Sequence, residues 1–575
     1  MEEIFTTGRE NEEIVWDKLH SLSLKKLPKL RSFYSVEEVA STSDQERQMI
    51  DTHMPLFDGK VKFRNLKTLQ LSAINFEKMW HNQLPLKSSS FQNLTDLMIQ
   101  NCCNMKYLFS SSTLGSFLQL QNLNIHNCTV LEEIIRIDDL GIHVELPSLK
   151  ELSIKGCPEM KAFIFSDKVA FPSLEEIQIQ YMDNLEMIWN NQLEDFLDNQ
   201  YYIYVEECGI EEIVSKEEGE VADRTLVFPK LTSLSLYHLQ ELKCFHPGIY
   251  STKWPMLKKL NAIGCDKINA LELFGIQEVI SDDQLDILVQ EKVLPNLVEL
   301  GLDGIKTRMV WQRQFPEILF PKLISLEILN DELAVLPPRI LQRSHNLERL
   351  SLQDSLYEWI FSCEEVNEQA KIKSLHICKL HNLKQIWKQD SKVDAIHQNL
   401  ENLVVRSCGS LVTLIPPSTS FQNLTILRVC ECSLINLLSS STVKSLMQLK
   451  EMEIGYCKMM TEVVTGDEVG IEEEINFKNL KSLELTSLSR ITRFCFGNYN
   501  FNFPSLEKFN VVSCPKMKIF SSIAASTPML RGIELDWEIY YCDGDLNTTM
   551  ERIHEKKNAE SSTKDCAGPS AQHLE

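Results

Sequence analysis

A chain of 575 residues is too long to close around one globular core, whereas a linear array of repeats has no such ceiling. Apolar residues make up 43% of it, ample for burial, yet no window approaches the roughly 18 consecutive apolar residues that a membrane-spanning helix needs. The net charge of −23 disfavours nonspecific attraction to nucleic acid or anionic lipid; it suits a soluble protein with either a solvated acidic exterior or a basic partner.

In chain order, residues 1–15 form an acidic segment without a recognisable pattern. Its start, MEEIFTTGRE, has neither a basic beginning nor an apolar run. With 17 cysteines, the absence of a signal peptide there points to a reducing compartment. HSLSLKKL, around Leu22, reads as a worn copy of a line that recurs downstream. Residues 35–60 interrupt it with a polar, turn-forming insertion. From Phe63 the line is dense: FRNLKTLQL, FQNLTDLMIQNC (Phe91 to Cys102), LPSLKELSIKGC (Leu146 to Cys157), FPSLEEIQIQ (Phe171 to Gln180), FPKLTSLSL (Phe228 to Leu236), FPKLISLEI (Phe320 to Ile328) and FPSLEKFNVVSC (Phe503 to Cys514). The shared frame is L-x-x-L-x-L/I, often closing on Cys. Its central aliphatic runs through Leu69, Leu97, Leu123, Leu152, Ile177, Leu234, Leu260, Leu300, Leu326, Leu350, Leu375, Leu403, Leu427, Met452, Leu483, Phe509 and Ile533. Most neighbours in that series lie roughly 24 to 29 residues apart, the leucine-rich-repeat period.

Aliphatics two apart lie on one face of a strand, and a strand this short cannot bury that face alone. Stacked side by side, such strands form a parallel sheet over one continuous core. The expected fold is therefore an α/β solenoid, a leucine-rich-repeat horseshoe with a parallel β-sheet on the concave face and irregular loops or short helices on the convex face. The closing slot holds Cys102, Cys128, Cys157, Cys208, Cys265, Cys408, Cys432, Cys457 or Cys514 in some copies and Ile74, Met182, Leu239, Ile305, Leu380 or Leu488 in others. A slot that takes Cys or a plain aliphatic is a buried packing position, where the thiol is a small hydrophobe and a weak donor.

Several repeats have been duplicated as a block. Phe91 aligns with Phe421, Leu97 with Leu427 and Cys102 with Cys432; after a one-residue gap, SSST at 110–113 aligns with 439–442 and Cys128 with Cys457. A third, shortened block runs from NLEMIW (Asn184 to Trp189) into IEEIVSKEEGE (Ile210 to Glu220). Within it the repeat around Tyr201, Tyr202 and Tyr204 reads as two repeats fused by a deletion. A second insertion spans 270–293, where Ser281-Asp282-Asp283 is set to cap a short outer helix carrying Leu285, Leu288 and Val289 on one face. The solenoid is expected to run over 16–540, followed by a disordered tail over 541–575.

No phosphate loop, dinucleotide fingerprint, H-E-x-x-H, G-x-S-x-G or paired-Cys zinc spacing occurs, so no catalytic residue, cofactor or metal is expected. The acidic phrases at Glu132-Glu133, Glu211-Glu212 and Glu472–Glu474 lack the alternating order that wraps calcium and read as solvated loops. Trp80, Trp189 and Trp387, in the recurring N-[FL]-x-x-[MI]-W, read as caps on the core rather than as an aromatic contact ridge. Surface remains. The candidate protein-binding face consists of the outward strand positions Asp96, Met98, Gln100, Lys155, Gln180, Tyr237, Lys259, Arg349, Gln353, His376, Arg406 and Arg428, which change from copy to copy while the leucines do not.

LPSLKELSIKGCPEMKAF, FPSLEKFNVVSCPKMKIFSS and NLEMIWNNQL resemble the C-terminal repeat region of coiled-coil-type plant nucleotide-binding, leucine-rich-repeat disease-resistance proteins. The C-P-x-M-K-x-F phrase (Cys157 to Phe163, Cys514 to Phe520) is its most specific mark, and the resemblance covers roughly residues 16–540. It implies a non-enzymatic, cytoplasmic recognition module of innate immunity, whose partner is a pathogen effector or a guarded host protein, together with a nucleotide-binding switch domain in a fuller-length protein. The net charge and the lack of a long apolar window point to no nucleic-acid partner and no integral membrane association. The switch-domain motifs themselves are absent. Alternatives are a repeat-type substrate adaptor or scaffold unrelated to defence, and a truncated receptor fragment without retained activity.

Overall fold

The computed structural model describes residues 3–7, 14–36, 55–57, 61–80, 91–137, 144–161, 169–189, 199–214, 224–245, 250–274, 294–312, 320–361, 371–388, 394–415, 420–466, 473–542 and 544–565. It forms two compact units, residues 1–297 and 298–575.

In the first unit the L-x-L alternation produces a parallel ladder. Strands Ser21–Leu27, Thr68–Ile74, Asp96–Gln100, Asn122–His126, Glu151–Lys155, Glu176–Met182, Tyr202–Cys208, Ser233–Tyr237 and Lys259–Ile263 pair in sequence order, each with the next. Their register puts Leu22, Leu69, Leu97, Leu123, Leu152, Ile177, Ile203, Leu234 and Leu260 in one row. The second unit repeats the arrangement from Glu299–Asp303 to Gly532–Leu535. Leu300, Leu326, Leu350, Leu375, Leu403, Leu427, Met452, Leu483, Phe509 and Ile533 make its row. From Leu69 onward no member of either row is more than 2% exposed. A two-stranded parallel segment is marginal alone, so this burial is what holds the strands.

Three local devices recur along the ladders. The first is a left-handed residue at or just after the end of the L-x-L alternation. Asn101, Asn127, Tyr181, Ser407, Glu431 and Tyr456 all have φ between 53° and 56°. The amide there donates across to the next rung, as from Ser407 to the Cys430 carbonyl at 3.0 Å. The second is the inward turn of the residue that follows. All nine slot cysteines are buried and free, and their thiols lie near the carbonyl two residues back, at 3.3 Å for Cys408 to Arg406 and 3.5 Å for Cys102 to Gln100. The third lies just before the frame's first leucine, where an asparagine side chain donates to a carbonyl of the preceding repeat. Asn65 reaches Asp17, Asn93 reaches Arg64, Asn346 reaches Pro321 and Asn423 reaches Gln398, at 2.6 to 2.9 Å. Where present, it ties a backbone acceptor of one coil to the next.

Several expectations are corrected. The repeat around Tyr201 is a complete rung: Ile203 and Val205 face inward and are buried, while Tyr202 and Tyr204 face outward. The frame's first leucine is replaced there by Gln200, wholly buried, whose amide donates to the Leu174 carbonyl at 2.6 Å. The acidic phrases are not simply loops. Glu133–Arg136 pairs with Tyr107–Ser110 and Glu212–Val214 with Met187–Trp189, because the Ile residues of E-E-I are core. Glu472 lies outside the described residues, and Glu473–Asn476 is a strand. Ile305 is 51% exposed rather than packed. The strand Glu299–Asp303 runs directly into the helix Gly304–Gln312, which buries Lys306, Thr307, Val310 and Trp311 on one face and turns Ile305 out. A side chain on Gly304 would collide with Asp331.

The tail carries a strand, Glu538–Tyr541, antiparallel to Gly532–Leu535, and a helix, Leu546–Asp565. Leu546, Met550 and Ile553, four and three apart, are buried. Asn547 accepts from the amides of Phe520 and Ser521 at 2.9 Å, so the helix closes the exposed end of the last coil. At the other end Glu3–Thr7 pairs with Ser32–Val36, and Ile14–Val15 with Val61–Lys62. Within the first insertion Leu56 and Phe57 are buried, and 37–54 lie outside the described residues. In the second, Ala270–Leu273 is helical, and the expected helix near Ser281 lies outside them. Trp80 and Trp387 are buried, stacked on Phe57 and Phe361; the side chain of Trp189 lies outside the described residues.

The Asp303–Lys306 ion pair, at 3.2 Å with side chains only 7% and 5% exposed, is a charged pair within this core. Removing one partner strands a buried charge. Asp303→Ala is expected to cost about 3–5 kcal/mol, and the double change Asp303→Leu/Lys306→Met less than that single change. Urea unfolding midpoints of the three proteins check this.

Candidate functional site

With the leucines committed inward, the residues between them stand on the open face of each sheet, in rows one residue per rung. Adjacent parallel strands lie about 4.8 Å apart, so neighbours in a row touch. The sequence candidates fall into four groups.

Asp96, Met98 and Gln100 share one strand of the first unit. Asp96 accepts from Asn122 Nδ2 and from Thr95 Oγ1, both at 2.6 Å. Farther along the same ladder, Lys155, Gln180 and Tyr237 occupy one row with Glu206 between the last two. Gln180 donates to Glu206 at 2.7 Å, and Lys155 Nζ lies 5.0 Å from the Tyr181 ring centre. The Tyr237 hydroxyl accepts from Asn261 at 2.7 Å. Lys259 begins the next strand, beside Ser233.

In the second unit Arg349 reaches Glu299 at 3.4 Å, and Gln353 donates to Glu327 at 2.8 Å. Two rungs on, Arg406 is exposed in the row Cys378–Arg406–Cys430. Arg428, one row over, contacts Glu451 at 2.9 Å and Glu453 at 3.3 Å. These pairs are a third or more exposed and worth roughly 0.2–1 kcal/mol each, so they orient side chains more than they stabilise the fold. Arg406 and Arg428 both act on His376, whose imidazole is held below its ordinary range first by burial and then by those two cations.

Sequence reasoning missed Tyr202, Tyr204 and Glu206. The signal was present: Y-I-Y-V-E alternates aromatic and aliphatic at the strand period. Tyr204 donates to Glu206 at 2.9 Å, and its ring centre lies 5.5 Å from that of Tyr237. Burial pushes the Tyr204 phenol up, reinforced by Glu206.

Three of the slot cysteines are poor nucleophiles. Burial pushes the thiols of Cys102, Cys208 and Cys457 up to about 12, so they stay protonated. No group of three or more His, Cys, Asp or Glu side chains is placed to hold a metal ion among the described residues, and no helix among them is long and apolar enough to cross a membrane.

His126, like His376, is held below the ordinary 6.5, by burial and then by Lys155. A histidine with a depressed folded pKa binds its proton more readily when unfolded, so its contribution to stability is lost as pH falls from above 6.5 through the folded value. NMR titration is expected to place both imidazoles below the free-histidine range. The fall in Tm on acidification is expected to be shallower in a His126→Gln/His376→Gln double variant than in the parent.

A putative disease resistance protein from Arabidopsis thaliana is 22% identical over 503 residues, covering 81% of this chain and 36% of the relative; the chain thus spans about a third of that protein's length. Among solved structures, the mouse RP105/MD-1 complex aligns at a TM-score of 0.41 with 14% identity, covering 85% of this chain and 80% of that one. The Leptospira interrogans LRR protein LIC12759 aligns at 0.31 with 16% identity, covering 67% and 90% respectively. The family described as "Plant disease resistance protein RPS2-like, leucine-rich repeats" matches residues 65–168, 296–420 and 416–537, together more than half of the chain. With its stacked Leu rows and αL–Cys turns, the chain belongs to the RPS2-like leucine-rich-repeat family of plant disease resistance proteins.

Proposed function

We propose that the chain is a non-catalytic protein-recognition module of plant defence that acts in the cytoplasm and senses a pathogen effector or a guarded host protein through the open face of its sheets. One observation carries this reading. The inward rows hold aliphatic or aromatic side chains from rung to rung, while the outward rows change from Glu451 and Arg428 to His376 and Arg349 over a few strands. Fold maintenance constrains the first set and leaves the second free for contact with a macromolecule. Flat faces of this kind bind through a few anchors surrounded by near-neutral contacts. Membership of the disease-resistance repeat family supports the biological setting. Since the matched relative is much longer than this chain, a nucleotide-binding switch domain is a natural second partner.

The test is a pull-down from infected plant tissue with the parent chain and a variant carrying Arg349→Ala, His376→Ala, Arg406→Ala and Arg428→Ala. All four are on the open face, so circular dichroism should stay unchanged. Loss of at least one partner is expected. Retention of every partner by a folded quadruple variant would remove the second unit's face from the recognition surface.

A further inference from the structure

The first unit's face differs in chemistry from the rest of the chain. Between Lys168 and Lys216 the sequence contains no Lys, Arg or His and eleven Asp and Glu. The two strands that fall in this stretch, Glu176–Met182 and Tyr202–Cys208, are laterally paired, so their outward side chains form one patch. Glu176 stands beside Tyr202 in one row and Gln180 beside Glu206 in another, with Tyr204 between the rows. Tyr237 joins from the next strand.

Two physical features mark this patch. The first is aromatic pre-organisation. The Tyr202 and Tyr204 rings are stacked at 6.5 Å with 9° between planes, and Tyr204 meets Tyr237 at 5.5 Å. Hydrogen bonds from Tyr204 to Glu206 and from Asn261 to Tyr237 anchor two of the phenol ends, so little side-chain entropy remains to be lost on binding. The second is like charge without relief. Glu151 and Glu176 sit directly opposite each other in register, an arrangement that destabilises a ladder. The Glu176 carboxyl is raised, first by burial and then by Glu151 and Glu175. The same face already holds one cation on a ring, Lys155 over Tyr181.

We propose that this patch docks an arginine-rich segment of a protein partner. A guanidinium is flat, weakly hydrated and forked: it stacks on tyrosine faces and bonds carboxylates in pairs, which an ammonium does less well. Its charge relieves the repulsion between Glu151 and Glu176. Nucleic acid and anionic lipid carry the wrong sign for this surface. The inference rests on the open face being a recognition surface and adds the chemistry of the partner there.

The test is fluorescence anisotropy of the full chain with a labelled decapeptide of alternating Arg and Gly, alongside peptides with Lys or Glu in place of Arg. Saturable binding of the Arg peptide is expected, weakening about tenfold in Tyr202→Ser/Tyr204→Ser, as for loss of an aromatic anchor. A similar weakening, with a flatter salt dependence, is expected in Glu176→Gln/Glu206→Gln. Asp183→Asn/Glu186→Gln removes two acids from the same stretch that lie beyond the strand, and should leave binding unchanged. Should the tyrosine variant melt early, the Glu176/Glu206 variant decides alone. The proposal is overturned by absence of saturable binding, by equal binding of the Lys or Glu peptide, or by equal loss in the Asp183/Glu186 control. An intact partner pull-down beside a silent Arg peptide would remove this inference and leave the broader recognition role standing.

Discussion

Lateral register is the constraint on which each unit depends. In a parallel ladder whose side-chain period is two, a slip of one residue would carry a whole aliphatic row from the core into water. The rows Leu97–Leu123–Leu152 and Leu403–Leu427–Met452 are held against such a slip from both ends of the strand. On one side the left-handed residue and its cross-rung amide bond set where the strand stops. On the other, the asparagine side chains of Asn93 and Asn423 fasten each coil to the carbonyl of the one before it. Neither tie is strong singly, at about 1 kcal/mol net, but repetition along an array adds them.

That division of labour explains the chemistry of the open faces. Side chains there contribute little to the fold, and they are free to become locally specialised. Around Tyr204 the first unit gathers aromatic rings and carboxylates. The second unit gathers Arg406, Arg428 and His376, the imidazole held below its ordinary range by burial and then by the two cations. Within a chain of net charge −23, the open faces thus differ in local chemistry, with Arg406 and Arg428 on one unit and a stretch without Lys, Arg or His on the other.

Much of the fold was legible in the primary structure, because burial imposes a strict period. Both leucine rows and all nine slot cysteines lie where the L-x-x-L-x-L frame places them. The failures have local causes. A frame search looks for leucine at its first position, and at Gln200 a buried amide fills that place, hiding the rung of Ile203 and Val205. At Ile305 an early helix replaces the turn. In the tail, Leu546, Met550 and Ile553 are too sparse among polar residues to announce a helix until there is a coil end to cover.

The sequence by itself determined the period, the inward and outward sets, and the absence of recognised catalytic motifs, since each follows from side-chain type at fixed spacing along one strand. Tertiary structure alone decided which outward side chains meet. Glu206 lies between Gln180 and Tyr237, 26 and 31 residues away along the chain, and only the pairing of separate rungs brings their side chains together. Contact across a solenoid depends on the number of residues in each intervening coil, and that number is converted into register only when the coils close on their shared core.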